Sequence, residues 1–419
     1  MILTRKEQPS SHPSSVTCRL APWVAALLIP GVGQANWEFD PALRVAADSD
    51  DNANLSHLTA QEDNITGYIG ELDFEALYRS ETGLVSINPV IRTREYDSDT
   101  DRDSNDQFLN FRMRRDGQSN TFGLRGNYSR ESVRTAELAD AALDAEIEPD
   151  EIEDDETGEI DNRGKRDRLR IVPSWSFQYS DVSTWRADVG MLTVDYIDDD
   201  PSTTSNLIDF TDVRGRLSYE RRLSARSQGI FSLTARNYQT DRVGGDIAGY
   251  GLSAGFNRAL TETTTFRALV GVEETEKLSD SDKPNFVTDI SLVRRQQTTR
   301  LLAQYRRRIS ASGRGELVER NEVNLRFTRS LNDKFSAGLG ARAYETKSLG
   351  SIANDTNYVQ LHAQLLWQMT DAFSLRANYR HTVIDRAVNG ESADSNRLTL
   401  WFTYRPNARS QITFQPGRN

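Results

Sequence analysis

The stretch VQLHAQLLWQMTDAFSLRANYR, residues 359–380, decides the fold class. Val359, Leu361, Ala363, Leu365, Trp367 and Met369 alternate with Gln360, His362, Gln364, Leu366 and Gln368. After Thr370 and Asp371 the alternation resumes, with Phe373, Leu375, Ala377 and Tyr379 set against Ser374, Arg376, Asn378 and Arg380. Successive side chains of a strand point to opposite faces, so a period of two makes one face apolar and the other polar. Two such runs joined by a short turn form an antiparallel hairpin.

The same rhythm recurs along the chain. Leu109, Phe111 and Met113 alternate with Asn110, Arg112 and Arg114, and Phe122, Leu124, Gly126 and Tyr128 with Gly123, Arg125 and Asn127. Val323, Leu325 and Phe327 repeat it, as do Leu398, Leu400, Phe402 and Tyr404. Helical periodicity is nearly absent after Asn36. A soluble sandwich would alternate in the same way, but the connections separate the two readings. One set is very short, at 79–83, 116–119, 180–183, 223–225, 261–263, 331–334, 370–371 and 406–409. The other set is longer and acidic, at 48–64, 97–106, 131–165, 198–206, 277–285, 349–356 and 386–395. Short turns at one end and long polar loops at the other are the pattern of a barrel in the outer membrane, periplasmic turns against extracellular loops. Trp37, Phe74, Tyr78, Tyr96, Tyr128, Trp175, Tyr179, Tyr219 and Tyr404 lie near strand ends, where rings would form interfacial girdles. The expected fold is therefore all-β: a transmembrane antiparallel β-barrel of 18 strands over 36–419, with 16 as the alternative. An even count brings both ends of the barrel to the periplasmic side.

Composition fits that reading once the geometry of a barrel is considered. The chain has 419 residues, 37% hydrophobic and 27% charged, with a formal net charge of −11. Its mean hydropathy is −0.63. Only alternate residues of a barrel strand meet lipid, so a polar chain can still carry a continuous apolar belt. No segment reaches 18 consecutive apolar residues, which excludes helical spans beyond the N-terminus. At the N-terminus, Arg5, Lys6 and Arg19 precede the apolar run LAPWVAALLI, and Gly33-Gln34-Ala35 offers small residues for cleavage. Residues 1–35 are thus expected to be a signal peptide. They take the single cysteine, Cys18, with them and leave a net charge of −13. A disulfide framework and a thiolate metal site are excluded from the remainder.

Two constellations could carry function. Residues 131–161 hold fourteen acidic residues and one base, within an expected extracellular loop at 131–165. Such a segment repels itself and reads as a solvated loop, or as a gate or divalent-ion site over a pore mouth. It lacks the order of a calcium-binding loop. The second constellation is a set of arginines on the polar face: Arg112, Arg114, Arg125, Arg168, Arg170, Arg214, Arg216, Arg326, Arg342, Arg376, Arg380 and Arg397. Eighteen strands enclose a lumen too wide for side chains alone to fill. These arginines either satisfy it through ladders with carboxylates or line a path for anionic or hydroxyl-rich solutes. No catalytic residue, metal site or cofactor motif is assigned, since His57, His362 and His381 have no acidic or serine partner at a recognisable spacing. An enzyme is not expected. Acidic charge and export also argue against nucleic acid as a partner.

The chain resembles the β-barrel porin family of the porin 2 type, encoded with exopolysaccharide-secretion genes. The resemblance lies in WEFDPALRV at 37–45, DSDDN at 48–52, the repeated strand style and short turns such as Leu331-Asn332-Asp333. It implies a Gram-negative outer-membrane barrel in contact with lipid, a conduit for anionic or neutral polysaccharide working with a periplasmic exporter. The alternatives are a general or small-solute diffusion porin and a structural or adhesive barrel with a sealed lumen. Residues 133–162 show no strand pattern. Their deletion should leave folding intact, and loss of heat-modifiable migration on gels would refute this.

Overall fold

The computed structural model describes residues 36–56, 64–97, 103–133, 136, 164–197, 207–241, 246–275, 284–349, 355–386 and 391–406. The expected signal peptide, most of the acidic loop and the segment after Pro406 lie outside them. Eighteen strands follow one another: β1 (Asn36–Asp50), β2 (Ile65–Ser80), β3 (Gly83–Tyr96), β4 (Ser104–Asp116), β5 (Asn120–Ser132), β6 (Lys165–Ser180), β7 (Ser183–Ile197), β8 (Phe210–Ser224) and β9 (Ser227–Thr240). The second half comprises β10 (Ile247–Ala259), β11 (Thr264–Thr275), β12 (Asn285–Arg295), β13 (Thr299–Ala311), β14 (Leu317–Ser330), β15 (Phe335–Ser348), β16 (Thr356–Gln368), β17 (Phe373–Arg386) and β18 (Glu391–Tyr404). Each strand pairs antiparallel with its neighbours in sequence, and β1 pairs with both β2 and β18. The sheet is closed, with eighteen strands and not sixteen.

The connections from even to odd strands are two to four residues long, and side chains tie them. Asn332 Oδ1 accepts the N–H groups of Lys334 and Phe335 at 2.8 and 2.9 Å. Thr370 Oγ1 accepts the Phe373 N–H at 3.1 Å. Three connections, 241–246, 296–298 and 312–316, are absent from the two sets read from the sequence. The loops are shorter than their acidic composition suggests. Asp48, Asp50 and Asp106 lie in β1 and β4 and are buried, Glu131 and Ser132 end β5, Lys165 opens β6, and β18 begins at Glu391. Past β5, Val133 and Ala136 are helical and buried, so the acidic connection begins with structure.

Register assigns the two faces. Leu43, Leu72, Leu252, Leu361 and Leu400 share the outer face and are 44–60% exposed. So much exposed leucine around a closed sheet is a lipid-facing belt. At the short-turn end, rings pair on this face: Trp37 with Tyr78 (5.2 Å), Trp185 with Tyr219 (5.0 Å) and Phe373 with Tyr404 (4.9 Å between centroids). This is an interfacial girdle. Tyr96 does not belong to it. It faces inward, and its hydroxyl donates to Asp48 Oδ2 at 3.0 Å. The chain is thus a membrane-spanning barrel of the outer-membrane type.

Two segments turn into the lumen. β12 ends its pairing with β13 at Thr288 and Arg307, whereas β13 and β14 stay paired as far as Ala311 and Leu317. The freed hairpin tip packs Ile309, Ala311 and Leu317 against Val194, Phe210, Tyr238 and Ile247 on the inner wall. Between β1 and β2, Leu55 inserts among Tyr344, Tyr358, Ile384 and Ala393. Leu55 has φ 46°, a left-handed conformation costly for a leucine. Asn52 holds the turn, donating to the carbonyls of Ser56 (2.9 Å) and Asp394 (2.8 Å).

Leu252 sits in mid-strand between Leu233 and Val272 on the lipid face. Leu252→Arg should destabilise the barrel in lipid vesicles by about 2–4 kcal/mol, the cost of a midplane arginine, measured by denaturant unfolding.

Candidate functional site

The inner face is built by the same alternation that builds the belt. Registers Arg112↔Arg125, Arg168↔Val194, Arg170↔Leu192, Arg214↔Arg236 and Arg216↔Thr234 place five strands' arginines on the face opposite to the exposed leucines. Arg114 shares the parity of Arg112. Arg326↔Gly340, Arg342↔Gln360, Arg376↔Trp401 and Arg380↔Arg397 put the remaining predicted residues on that face as well.

Charge is unevenly distributed around this wall. Carboxylates concentrate on β1 to β4, where Glu71 pairs with Arg44 and Arg92, Asp106 with Arg94, and Asp48 with Arg397 at 2.8 Å. Asp48 also accepts from Thr399 at 2.7 Å. Farther round, arginines outnumber acids. Glu322, 2% exposed, is surrounded by four guanidiniums: Arg308 and Arg342 at 2.9 Å, Arg306 and Arg320 at 3.6 Å. Arg320 also stacks over the Tyr344 ring at 3.8 Å. A buried charge survives only when paired and hydrogen-bonded, and one carboxylate here anchors a cluster with excess positive charge.

Asp212 forms a second hub on β8. Its oxygens accept from Arg214 Nε at 2.9 Å and from Arg236 Nε and Nη2 at 2.8 and 2.9 Å. Between the two hubs lies a cavity of about 370 Å³. Its inward-facing charged lining is Arg125, Arg170, Arg214, Arg216, Arg236, Arg267, Arg306 and Arg308 against Asp188, Asp212, Glu273 and Asp289. Arg307 also borders it, but its guanidinium pairs with Glu319 at 2.8 Å. Beside it, across β3, β4 and β5, runs an exposed amide row: Asn127 donates to Asn110 at 2.6 Å, and Asn110 to Asn88 at 3.4 Å.

The cavity thus gathers Arg125, Arg170, Arg214 and Arg216 from the predicted set, while Arg112, Arg114, Arg326, Arg342, Arg376, Arg380 and Arg397 stand elsewhere on the wall and Arg168 donates to Asn127 at 2.7 Å. Arg236, Arg306, Arg308, Arg320, Asp212 and Glu322 were missed. Arg236 could have been found from its parity with Ser232 and Thr234, opposite Phe231 and Leu233. Arg306 and Arg308 were hidden by Arg307, which interrupts the alternation. His362 and His381, on adjacent strands, face opposite ways: His362 is aligned with Arg380 on the inner face, His381 with Leu361 on the lipid face. The His362 ring lies where a Cβ on Gly340 would fall, a close approach that requires the glycine.

No known family's sequence profile matches the chain, and no curated protein matches it. Solved structures similar to it include OpdO of Pseudomonas aeruginosa, with 12% identity over 88% of this chain and 98% of that one, at a TM-score of 0.46. A BenF-like porin from Pseudomonas fluorescens Pf-5 has 9% identity over 88% and 99%, at 0.46. The outer membrane channel DcaP of Acinetobacter baumannii has 12% identity over 88% and 97%, at 0.39. What the lumen does must be read from this chain's own residues.

Glu322→Gln would leave four guanidiniums facing a neutral amide. It should cost about 3–5 kcal/mol of stability, the penalty for removing one partner of a buried ion cluster, and lower the unfolding midpoint in urea.

Proposed function

We propose that this barrel is an outer-membrane channel selective for small anionic, hydroxyl-rich solutes. The observation that carries the reading is the cavity between the two hubs, where nine arginines, one of them tied to Glu319, meet four carboxylates. Guanidinium groups bind carboxylate and phosphate through a planar fork, and a ring of like charge in a narrow lumen admits counter-ions and repels co-ions. Conduction needs contacts that are repeated and individually weak. Arginine pairs such as Arg216 with Asp188 at 3.0 Å moderate the field without cancelling it.

A polysaccharide conduit is the second reading. It is favoured by the exposed row Asn88, Asn110 and Asn127, whose amides suit sugar hydroxyls. It requires a wider path, with both the hairpin tip and Leu55 out of the lumen.

Reversal potentials in planar bilayers across a KCl gradient test the first reading. The intact protein should favour chloride over potassium, and Arg125→Ala combined with Arg170→Ala should move the potential toward zero. Cation preference in the intact protein would reject it. Conductance that appears only after removal of 133–162 would favour a gated export conduit instead.

A further inference from the structure

The hairpin tip is fastened by the residues that line the cavity. Arg214 Nη2 and Arg236 Nη1 each donate to the Ile309 carbonyl at 3.2 Å. Asp212 fixes both side chains through their other N–H groups. Farther along the tip, the Ile208 N–H donates to the Gly313 carbonyl at 2.8 Å. Gly315, at φ +71°, approaches so closely that a Cβ would lie 2.6 Å from Thr240 Oγ1. The tip also makes an apolar contact: Ile309, Ala311 and Leu317 on Val194, Phe210 and Tyr238.

We propose that the Ile309 carbonyl is a latch released by the transported solute: a carboxylate or phosphate in the cavity displaces it from Arg214 and Arg236, and the hairpin swings away from the β7–β10 wall. This rests on the anion-channel reading and adds a gate to it. The carbonyl is a neutral acceptor held at the long end of the hydrogen-bond range. An ionised acceptor at the same guanidiniums makes bonds roughly twice as strong. Carbonyl and anion compete for the same N–H groups, so the anion binds the unlatched state in preference. That difference is what a ligand needs to shift a two-state equilibrium. The apolar contact sets the closed state as the resting one. Solutes without a negative charge offer only neutral acceptors, no stronger than the carbonyl already in place, and leave the hairpin where it is.

The test uses single-channel recording on the full protein refolded from its outer-membrane form, with citrate, inorganic phosphate and glucose as probes. Millimolar citrate or phosphate should raise open probability by about tenfold, within the usual range of coupling between sites, and glucose should not. Citrate acting alone would assign the latch to carboxylates, phosphate alone to phosphates. In a Cys18→Ser background, Ile208→Cys with Gly313→Cys places a cross-link across the tip. The oxidised form should lose the response and reduction should restore it. Arg214→Lys with Arg236→Lys keeps the charge but loses the fork, and should weaken the response. A chloride-selective current with open probability indifferent to all three probes would overturn the latch and leave the channel reading standing. An unchanged anion response in the cross-linked form would overturn it too. Silence even after excision of 309–317 would reject the channel reading, and the latch with it.

Discussion

In hydrocarbon no water is available to a backbone N–H or C=O, and every peptide group must find its partner within the sheet. The pairing of β1 with β18 meets that constraint by removing both edges. Closure then dictates the rest. It favours alternation along the strands, because a residue out of phase can carry an arginine into lipid. It also separates the ends of the strands into one set of turns of two to four residues and another set of connections of four residues or more.

Inside, the wall has to satisfy charges in a partly dry space. Arginine suits that task better than lysine, since its weakly hydrated planar group can bind two acceptors and stack on a ring. The chain follows this preference: after residue 35 its lysines are Lys165, Lys277, Lys283, Lys334 and Lys347. Asp48, Asp212 and Glu322 act as anchors, each holding two or more donors. The acids of β1 to β4 face a predominantly basic remainder, so a solute crossing the lumen meets a field directed across it.

The inward segments divide this lumen. The β13–β14 tip can leave the wall because β12 starts at Asn285 and its pairing stops at Thr288, short of the tip. Deprived of that neighbour, the last residues of β13 pack against the inner wall of β7 to β10. Leu55 covers the inner ends of β15 to β18 in the same manner, and Tyr344 joins the two regions by touching the Leu55 cluster and stacking beneath Arg320.

How much of this was legible in the sequence depends on whether the cause is local. Parity is local. The zigzag of a strand decides which face Arg112, Arg214 or Arg397 takes, so the period of two announced the barrel, its approximate strand number and the side each arginine occupies. Loop boundaries were less legible, because acidity imitates a loop: Asp48, Asp50 and Asp106 are strand residues whose partners, Ser395, Arg94 and Arg397 among them, come from other strands. The connections within β12 to β14 escaped the sequence reading for a related reason. Arg306-Arg307-Arg308 breaks the alternation, with two guanidiniums bound to Glu322 and the middle one to Glu319. Ile309, Ala311 and Leu317 keep the parity of lipid-facing residues, and the sequence by itself could say only that they form an apolar face. Tertiary structure decided that this face meets Val194, Phe210 and Tyr238 instead of lipid. That outcome depends on where another strand ends and on a wall contributed by residues some hundred positions away, which no pattern within a strand encodes.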